Sequence, residues 1–164
     1  MLAGILVVSD RGYRGERYDQ SGRAAHEIIS RLGIEVVKYE VVPDEVEIIC
    51  ARLKEWADSD RLDLIVTSGG TGLSPRDVTP EATLMVIDKI VPGLAEAMRM
   101  ETMRRKPESI LSRAVAGSRG KCLIVNLPGS PKAVRECLEV IVSVLPHALE
   151  VLGGKVCECS GKGE

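Results

Sequence analysis

Two aspartates, Asp44 and Asp77, are the residues of this sequence that most readily suggest chemistry. Asp44 follows the predicted strand at residues 34–42, and Asp77 lies in the loop after the predicted strand at residues 62–67. Carboxylates that meet at one edge of a parallel sheet suit Mg²⁺, which takes one or two of them together with substrate phosphates. Both residues also have structural explanations: Asp44 as a helix cap that Glu47 completes, and Asp77 in a turn over residues 74–77. The spacing leaves both interpretations open.

A glycine-rich loop with the sequence Gly69, Gly70, Thr71 and Gly72 stands between the two aspartates along the chain. With no Cβ atoms in the way, backbone N–H groups of such a loop approach a phosphate closely, and the Thr71 hydroxyl can donate another hydrogen bond. The loop lacks the Gly-Lys-Ser/Thr ending of a Walker loop, and Pro75 stands where a dinucleotide fingerprint has its third glycine. The pattern predicts an anion site, with a plain tight turn as the alternative.

The elements that must position these residues are strands and helices in alternation, which is typical of βαβ units and a mainly parallel sheet. The predicted strands, the last two of which form a hairpin, cover residues 4–9, 34–42, 62–67, 114–118 and 121–126. Polar residues follow the strands at Asp10, Asp44, residues 68–72 and residues 126–130. Ligands bind beyond the carboxyl ends of parallel strands, so we expect all four groups at one edge.

Two helix starts are marked by capping residues followed by proline. Thr79 with Pro80, and Ser130 with Pro131, predict an N-cap and a first helical residue in each case. A further helix is predicted over residues 93–105. The last helix is predicted as one continuous segment, because its apolar residues recur at helical spacing: Val134, Leu138, Ile141, Leu145 and Leu149.

Composition and charge limit the possible partners. The 164 residues fit one domain, which we place at residues 1–154 with a polar tail at 155–164. With no Phe, one Trp and three Tyr, the core must be aliphatic and base stacking is not expected. The 22 basic and 24 acidic residues are interspersed, which argues against nucleic acid or an anionic membrane as main partner. Without a basic leader or a membrane-spanning run, we expect a cytoplasmic protein.

The five cysteines are an odd number and predict no disulfide framework. Cys50, Cys122 and Cys137 lie among apolar neighbours, where a reduced cysteine behaves as a small hydrophobic residue. Cys157 and Cys159 form a C-x-C pair in the polar tail, and the lack of a second pair nearby argues against zinc.

Three cations, Arg76, Arg113 and Lys132, are nearest to the candidate loops in the sequence. Each could offset phosphate charge, although a solvated surface cation is the more frequent outcome for any one of them. Only Arg76 lies inside the loop that carries Asp77.

Two motifs resemble a known family: TSGGTGLSPRDVTPEAT at residues 67–83 and NLPGSPKA at residues 126–133. Together they resemble the molybdopterin-binding domain family, most closely its Mog branch. The same stretches are similar to the corresponding domains of the plant two-domain cofactor protein and of gephyrin. The resemblance extends over about residues 3–152 and includes SDR at 9–11, VPDE at 42–45, PG at 92–93 and LSR at 111–113.

The resemblance implies a three-layer α/β/α fold with a mainly parallel sheet and one C-terminal hairpin, usually assembled as a homotrimer. It implies a nucleotidyltransferase of molybdenum-cofactor synthesis that takes molybdopterin and Mg-ATP and forms adenylated molybdopterin and pyrophosphate. Asp44 and Asp77 match the family's functional aspartates, which would be catalytic and would hold Mg²⁺. A downstream protein that inserts molybdate is a further partner that the resemblance suggests.

The same matching assigns binding roles to other residues. The glycine-rich loop would hold the pterin phosphate region, while Ser112 and Asn126 would help to position ligand. The rest of the implied substrate- and phosphate-binding set is Asp10, Ser68, Pro128, Gly129 and Ser130. Ser130 departs from the family pattern, because relatives often carry Gln or Asn at that position.

Three alternative functions stay open from the sequence. The Moa branch of the family shares the fold and much of the glycine motif, with a different activity or with tungsten in place of molybdenum. A non-catalytic pterin carrier or scaffold is the second, and the intact Asp44 and Asp77 count against it. A flavodoxin-like phosphate binder is the third; it explains the sheet edge but not the NLPGSPK segment at residues 126–132.

Overall fold

The structure, a computed structural model, describes residues 1–154 of the chain. The strands are β1 (Leu2–Val8), β2 (Glu35–Val42), β3 (Leu64–Ser68), β4 (Lys89–Ile90), β5 (Ala116–Arg119) and β6 (Cys122–Leu127). The α-helices are α1 (Asp10–Tyr13), α2 (Ser21–Arg31), α3 (Val46–Lys54), α4 (Thr79–Leu84), α5 (Pro92–Met103), α6 (Pro131–Ile141) and α7 (Leu145–Leu152). A π-helical turn (Glu55–Ser59) extends α3, and a 3₁₀ helix (Pro107–Leu111) follows α5. The tail cysteines Cys157 and Cys159 lie outside the described residues.

The six strands form one sheet in the order β2-β1-β3-β6-β5-β4. The first four of these are mutually parallel, whereas β5 and β4 continue the sheet with antiparallel pairing. All five predicted strands are confirmed, and β5 and β6 form the predicted hairpin around Gly120, whose φ of 53° suits glycine. The sequence did not reveal β4, because its two exposed residues carry no hydrophobic alternation.

Two apolar layers cover the two faces of the sheet, because side chains alternate along each strand. Ala3, Ile5 and Val7 of β1 belong to the cluster that includes buried residues of α2, α5, α6 and α7. Leu6 and Val8 belong to the opposite cluster, with buried residues of α3 and α4 and the only tryptophan of the chain. The predicted three-layer α/β/α fold and its aliphatic core are confirmed. No helix within residues 1–154 is long and apolar enough to cross a membrane.

The single helix predicted after Ser130 is wrong, because the chain forms two helices there, α6 and α7. Ser130 does cap α6, since its Oγ accepts a hydrogen bond from the Ala133 N–H at 3.2 Å. Pro146, in the first turn of α7, has no N–H to continue the ladder of α6, so the chain starts a new helix. The apolar stripe nevertheless stays buried across the break, which is why its spacing suggested one helix.

The predicted N-cap of α4 is displaced by one residue. Val78 occupies the cap position, and Thr79 is the first helical residue. The Thr79 hydroxyl donates a hydrogen bond to the Gly69 carbonyl at 2.9 Å. Thr79 therefore fastens the glycine-rich loop to the start of α4.

Candidate active site

The carboxyl ends of the four parallel strands bring the predicted site residues to one edge of the sheet. Val8 pairs with Val42 across β1 and β2, and Ser68 pairs with Leu127 across β3 and β6. The segments that follow these strands begin at this edge and contain Asp10, Asp44, residues 69–72 and residues 128–130. The expectation that the four polar groups share one edge is confirmed.

Asp44 and Asp10 hold each other through reciprocal hydrogen bonds. The Asp10 N–H donates to Asp44 Oδ2 at 2.8 Å, and the Asp44 N–H donates to Asp10 Oδ1 at 3.1 Å. The capping interpretation of Asp44 is wrong, because Glu45 is the cap residue of α3 and makes no side-chain capping bond. The Asp44 carboxylate is therefore directed to the sheet edge by a partner 34 residues away.

Asp77 lies in the turn that its sequence predicts. Its N–H donates to the Ser74 carbonyl and its Oδ2 accepts from the Ser74 N–H, both at 2.9 Å. The same carboxylate lies beside the glycine-rich loop, since a Cβ on Gly72 would come within 2.9 Å of Asp77 Oδ2. A Cβ on Gly70 would come within 3.1 Å of Asp44 Oδ1, so both carboxylates adjoin this loop.

The glycine-rich loop holds a conformation that only glycine adopts easily. Gly69 has a φ of 105° and Gly70 a φ of 63°. A Cβ on Gly69 would lie 2.3 Å from the Val8 carbonyl oxygen. The Gly69 N–H donates to the Leu127 carbonyl at 3.1 Å, and the Thr79 N–H donates to the Gly70 carbonyl at 3.1 Å. The loop is thereby fixed between β1, β6 and the start of α4.

Two cavities lie on either side of the loop, and Gly70 belongs to the wall of both. The first, of about 220 Å³, is the acidic cavity, lined by Asp19, Asp44, Ser68, Gly69, Gly70 and Asp77 among others. The second, of about 530 Å³, is the wide cavity, lined by Gly70, Thr71, Gly72, Lys106, Ser112, Pro128, Gly129 and Ser130 among others. Gly70, Asp77 and Gly129 line both. A ligand in one cavity would therefore lie directly across the loop from a ligand in the other.

Negative charge is concentrated on the acidic side. Burial raises the pKa of Asp44, and the charges of Asp10 and Asp77 raise it further, against the opposing effects of the Asp10 N–H and Arg76. The Arg76 guanidinium binds the Asp10 carboxylate through two hydrogen bonds, of 3.0 and 2.9 Å, and lowers the pKa of Asp10. A cation between Asp44 and Asp77 would relieve the repulsion that Asp44 experiences.

The donor set of the acidic cavity fits Mg²⁺, because carboxylate oxygens are hard ligands. Within residues 1–154, no group of three or more His, Cys, Asp or Glu side chains is arranged to hold a metal ion. A metal that keeps water ligands and shares substrate phosphates needs no such group, and Mg²⁺ usually binds through one or two carboxylates. Asp44 and Asp77 are therefore the residues that could hold it.

Asn126 and Ser112 occupy different environments. Asn126 is fully buried; its amide donates to the Thr67 and Thr83 hydroxyls at 3.0 and 2.9 Å, and its oxygen accepts from the Val115 N–H at 3.1 Å. Ser112 lines the wide cavity. Asn126 therefore holds the strand and loop behind the cavity, whereas Ser112 faces the space that a ligand would occupy.

Ser68 and the cations also show specific placements. The Ser68 hydroxyl donates to the Pro128 carbonyl at 3.0 Å and so joins the two loops of the site. Arg76 is paired with Asp10, and Arg113 is paired with backbone carbonyls and Glu81, so both are engaged with protein groups. Lys132 is largely exposed and lies 4.0 Å from Glu136.

Sequence reasoning missed two parts of the cavity walls. Lys106 lines the wide cavity from the turn after α5, where no motif marks it. Residues 17–21 line the acidic cavity, and Asp19, which precedes the N-cap Gln20 of α2, accepts hydrogen bonds from the N–H groups of Ser21 and Gly22. The Asp-x-Ser-Gly pattern of a helix start was the available signal for this second segment.

A family model described as a probable molybdopterin binding domain matches residues 4–147 of this chain. The chain belongs to the molybdopterin-binding domain family. The resemblance expected from residues 67–83 and 126–133 is thereby confirmed. The motifs that carry it contain the glycine-rich loop, Asp77 and the segment that follows β6, so the family's most specific residues lie around the two cavities.

Relatives within the molybdopterin-binding domain family match almost the whole chain. A protein of Helicobacter pylori strain J99 named molybdopterin adenylyltransferase is 42% identical over 161 residues, which cover 97% of this chain and 92% of that protein. The crystal structure of the molybdopterin biosynthesis enzyme MoaB of Thermus is 55% identical, with a TM-score of 0.89 and coverage of 94% and 97%. A structure of MogA is 43% identical, with a TM-score of 0.88 and coverage of 93% and 99%.

Proposed function

We propose that this protein is a molybdopterin adenylyltransferase of molybdenum-cofactor synthesis, which uses Mg-ATP and releases pyrophosphate. The observation that carries the proposal is the pair of cavities on either side of one glycine-rich loop, with Asp44 and Asp77 on the acidic side. Such a site can hold two phosphate-bearing substrates next to each other. Full-length relatives that bear this name support the same reaction.

The reaction joins two anions. A phosphate oxygen of molybdopterin forms a bond to the α-phosphorus of ATP, while the bond from that phosphorus to the β-phosphate oxygen breaks and pyrophosphate leaves. The step needs no nucleophile from the protein. It needs alignment of the two substrates and compensation of their repulsion, and alignment alone contributes several powers of ten to such rates.

The two cavities divide these tasks. We place Mg-ATP in the acidic cavity, where Asp44 and Asp77 hold the ion through carboxylate oxygens. Bound Mg²⁺ would neutralise triphosphate charge and stabilise the charge that develops on pyrophosphate. Molybdopterin occupies the wide cavity, where Thr71, Ser112 and the loop amides hold it with its phosphate at the shared wall.

We also propose a homotrimer. Large apolar side chains are exposed on α4, on β4 and on α5, and they include Met85 (67% exposed), Ile90 (60%) and Met100 (66%). Exposed apolar surface of this kind supports self-association. A cytoplasmic location and a downstream molybdate-inserting partner rest on the family resemblance.

The second candidate is a Moa-type role, which the 55% identity to MoaB of Thermus favours. A protein with that role would share the fold and the pterin cavity, and would differ in the nucleotide-dependent step or in serving tungsten. A carrier or scaffold would bind pterin without turnover. Product formation separates these functions from adenylylation.

The test is to incubate the purified protein with molybdopterin, ATP and Mg²⁺ and to measure adenylated molybdopterin and pyrophosphate. We expect equal amounts of both products from wild type, and none above background from Asp44→Ala or Asp77→Ala while molybdopterin binding is retained. A folded wild-type protein that binds molybdopterin and yields no product contradicts the enzyme proposal. That result would favour the carrier or the Moa-type role.

A further inference from the structure

Arg113 forms hydrogen bonds with both ends of the loop segment that carries Asp77. Its Nε donates to the Gly72 carbonyl at 2.7 Å, and its Nη2 donates to the Asp77 carbonyl at 2.5 Å. Its backbone N–H donates to the Thr71 carbonyl at 2.9 Å. One residue therefore holds both ends of the segment 72–77, from a position about 40 residues later in the chain.

The guanidinium of Arg113 is committed to these contacts. Its remaining nitrogen, Nη1, pairs with the Glu81 carboxylate on α4, and the side chain is 33% exposed. Each of Nε, Nη1 and Nη2 thus has a protein acceptor. The sequence suggested Arg113 as a phosphate-neutralising cation, and the geometry indicates a different task.

The position of the Asp77 carboxylate depends on the backbone that Arg113 holds. Asp77 Oδ2 accepts from the Ser74 N–H inside the same turn, so the turn and the carboxylate move together. Asp44 is fixed independently, because its Oδ2 accepts from the Asp10 N–H at the end of β1. The separation between the two carboxylates is therefore set by how firmly the segment 72–77 is fastened.

We propose that Arg113 is a positioning residue that fixes Asp77 relative to Asp44 for the binding of a divalent cation with ATP. The inference rests on the proposed function for the identity of the reaction, and on the contacts above for the role of the residue. Arginine suits this task because its planar fork donates to several acceptors at once, whereas a lysine ammonium is a single point. Arg113→Lys keeps the positive charge but loses the planar group that donates to several acceptors at once.

The test uses Arg113→Lys, with Glu81→Gln as the matched control. Glu81→Gln removes the ion pair of the guanidinium and leaves its bonds to the Gly72 and Asp77 carbonyls. The first readout is the affinity for Mn²⁺ in the presence of ATP and without molybdopterin, measured by electron paramagnetic resonance. The second readout is the Mg²⁺ dependence of adenylylation, and thermal unfolding reports whether each variant is folded.

We expect Arg113→Lys to bind Mn²⁺ about tenfold more weakly, as is common when a group that orients a metal ligand is lost. Its adenylylation rate should fall at low Mg²⁺ and recover as Mg²⁺ is raised, because the ligand is displaced and not removed. Glu81→Gln should keep the wild-type Mn²⁺ affinity. Arg113→Gln, which can donate from one amide only, serves as the second variant if Arg113→Lys does not fold.

A folded Arg113→Lys or Arg113→Gln protein with wild-type Mn²⁺ affinity and wild-type Mg²⁺ dependence overturns the inference. Equal weakening of Mn²⁺ binding by Glu81→Gln also overturns it. In that case the ion pair with Glu81, and not the hydrogen bonds to the two carbonyls, would determine the affinity. Failure of the proposed function has a different signature, namely a wild-type protein that forms no adenylated molybdopterin. The Mn²⁺ measurement does not depend on that product and tests Arg113 in either case.

Discussion

The acidic cavity and the wide cavity share one wall, yet they are built in different ways. Asp44 of the acidic cavity follows β2 closely, so the sheet fixes where it emerges, whereas Asp77 lies at the far end of the loop after β3 and is placed by its turn and by Arg113. The wide cavity is bounded by residues 106–112 and 128–133, which are turns, a 3₁₀ helix and a helix start. Sheet topology therefore positions Asp44, and loop packing positions Asp77 and the residues of the wide cavity.

The two sides also differ in the charge they favour. Burial raises the pKa of Asp44, and the nearby charges of Asp10 and Asp77 raise it further, an arrangement that favours a cation. The wide cavity is lined by Lys106 and the glycine-rich loop, which favour an anion, and also by the carboxylates of Asp77 and Glu108. In the proposed function, this loop separates the cation from the phosphate of molybdopterin, and Lys106 and the loop amides offset the charge of that phosphate.

The largest expected effect comes from altering the glycine-rich loop that separates the two cavities. Gly69→Ala places a Cβ 2.3 Å from the Val8 carbonyl oxygen at a φ of 105°, so backbone must move. We expect a loss of about 3 kcal/mol or more in the free energy of unfolding, and loss of both ligands. Urea unfolding and ligand titration measure these effects.

The matched control is Gly120→Ala in the hairpin between β5 and β6. Gly120 also has a positive φ, of 53°, but an added Cβ would meet no atom within 4 Å. We expect a cost of about 1 kcal/mol and normal binding of both ligands. Equal losses of unfolding free energy in the two variants would contradict the interpretation that close contacts of Gly69 with β1 hold the loop in place.

The second prediction distinguishes the role of Asn126 from that of Ser112. The family resemblance implied that both residues help to position ligand. Asn126→Ala leaves the Val115 N–H and the hydroxyls of Thr67 and Thr83 without their amide partner. We expect it to cost about 2–4 kcal/mol in unfolding free energy. Ser112→Ala, at the surface of the wide cavity, removes only the long hydrogen bond of 3.3 Å from the Ala114 N–H and should cost about 1 kcal/mol or less. Thermal and urea unfolding of the two variants measure this difference. Equal losses of unfolding free energy would contradict a structural role for Asn126 that Ser112 does not share.

The contrast between the cavities also explains what could be predicted from the sequence. Hydrophobic periods and turn residues predicted all five long strands and the shared edge, because these signals are local. The local pattern left a capping role for Asp44 open, and only the structure excludes it, because the contact with Asp10 joins residues 34 positions apart. The contacts of Arg113 could not be predicted either, because they join segments about 40 residues apart.

The effect that matters least at neutral pH concerns thiols away from the two cavities. Burial raises the pKa of Cys122 to about 12 and that of Cys137 to about 11. These thiols stay protonated when folded but ionise near pH ~8.5 when unfolded, so their contribution to stability is lost as pH rises. We expect the unfolding free energy to fall between pH ~9 and ~11, and to fall less steeply in Cys137→Ala. Unfolding free energies from urea titrations that fall equally steeply with pH in wild type and in Cys137→Ala would contradict this expectation.

The most direct test of the account is to measure the binding of each ligand separately, by calorimetry, to Asp44→Asn and Ser112→Ala. We expect Asp44→Asn to weaken Mg-ATP binding about tenfold and to leave molybdopterin affinity unchanged. Ser112→Ala should do the opposite, with molybdopterin affinity reduced about fivefold, as for one lost hydrogen bond. Two variants that weaken the same ligand, or both ligands equally, would contradict the division of the site into two cavities.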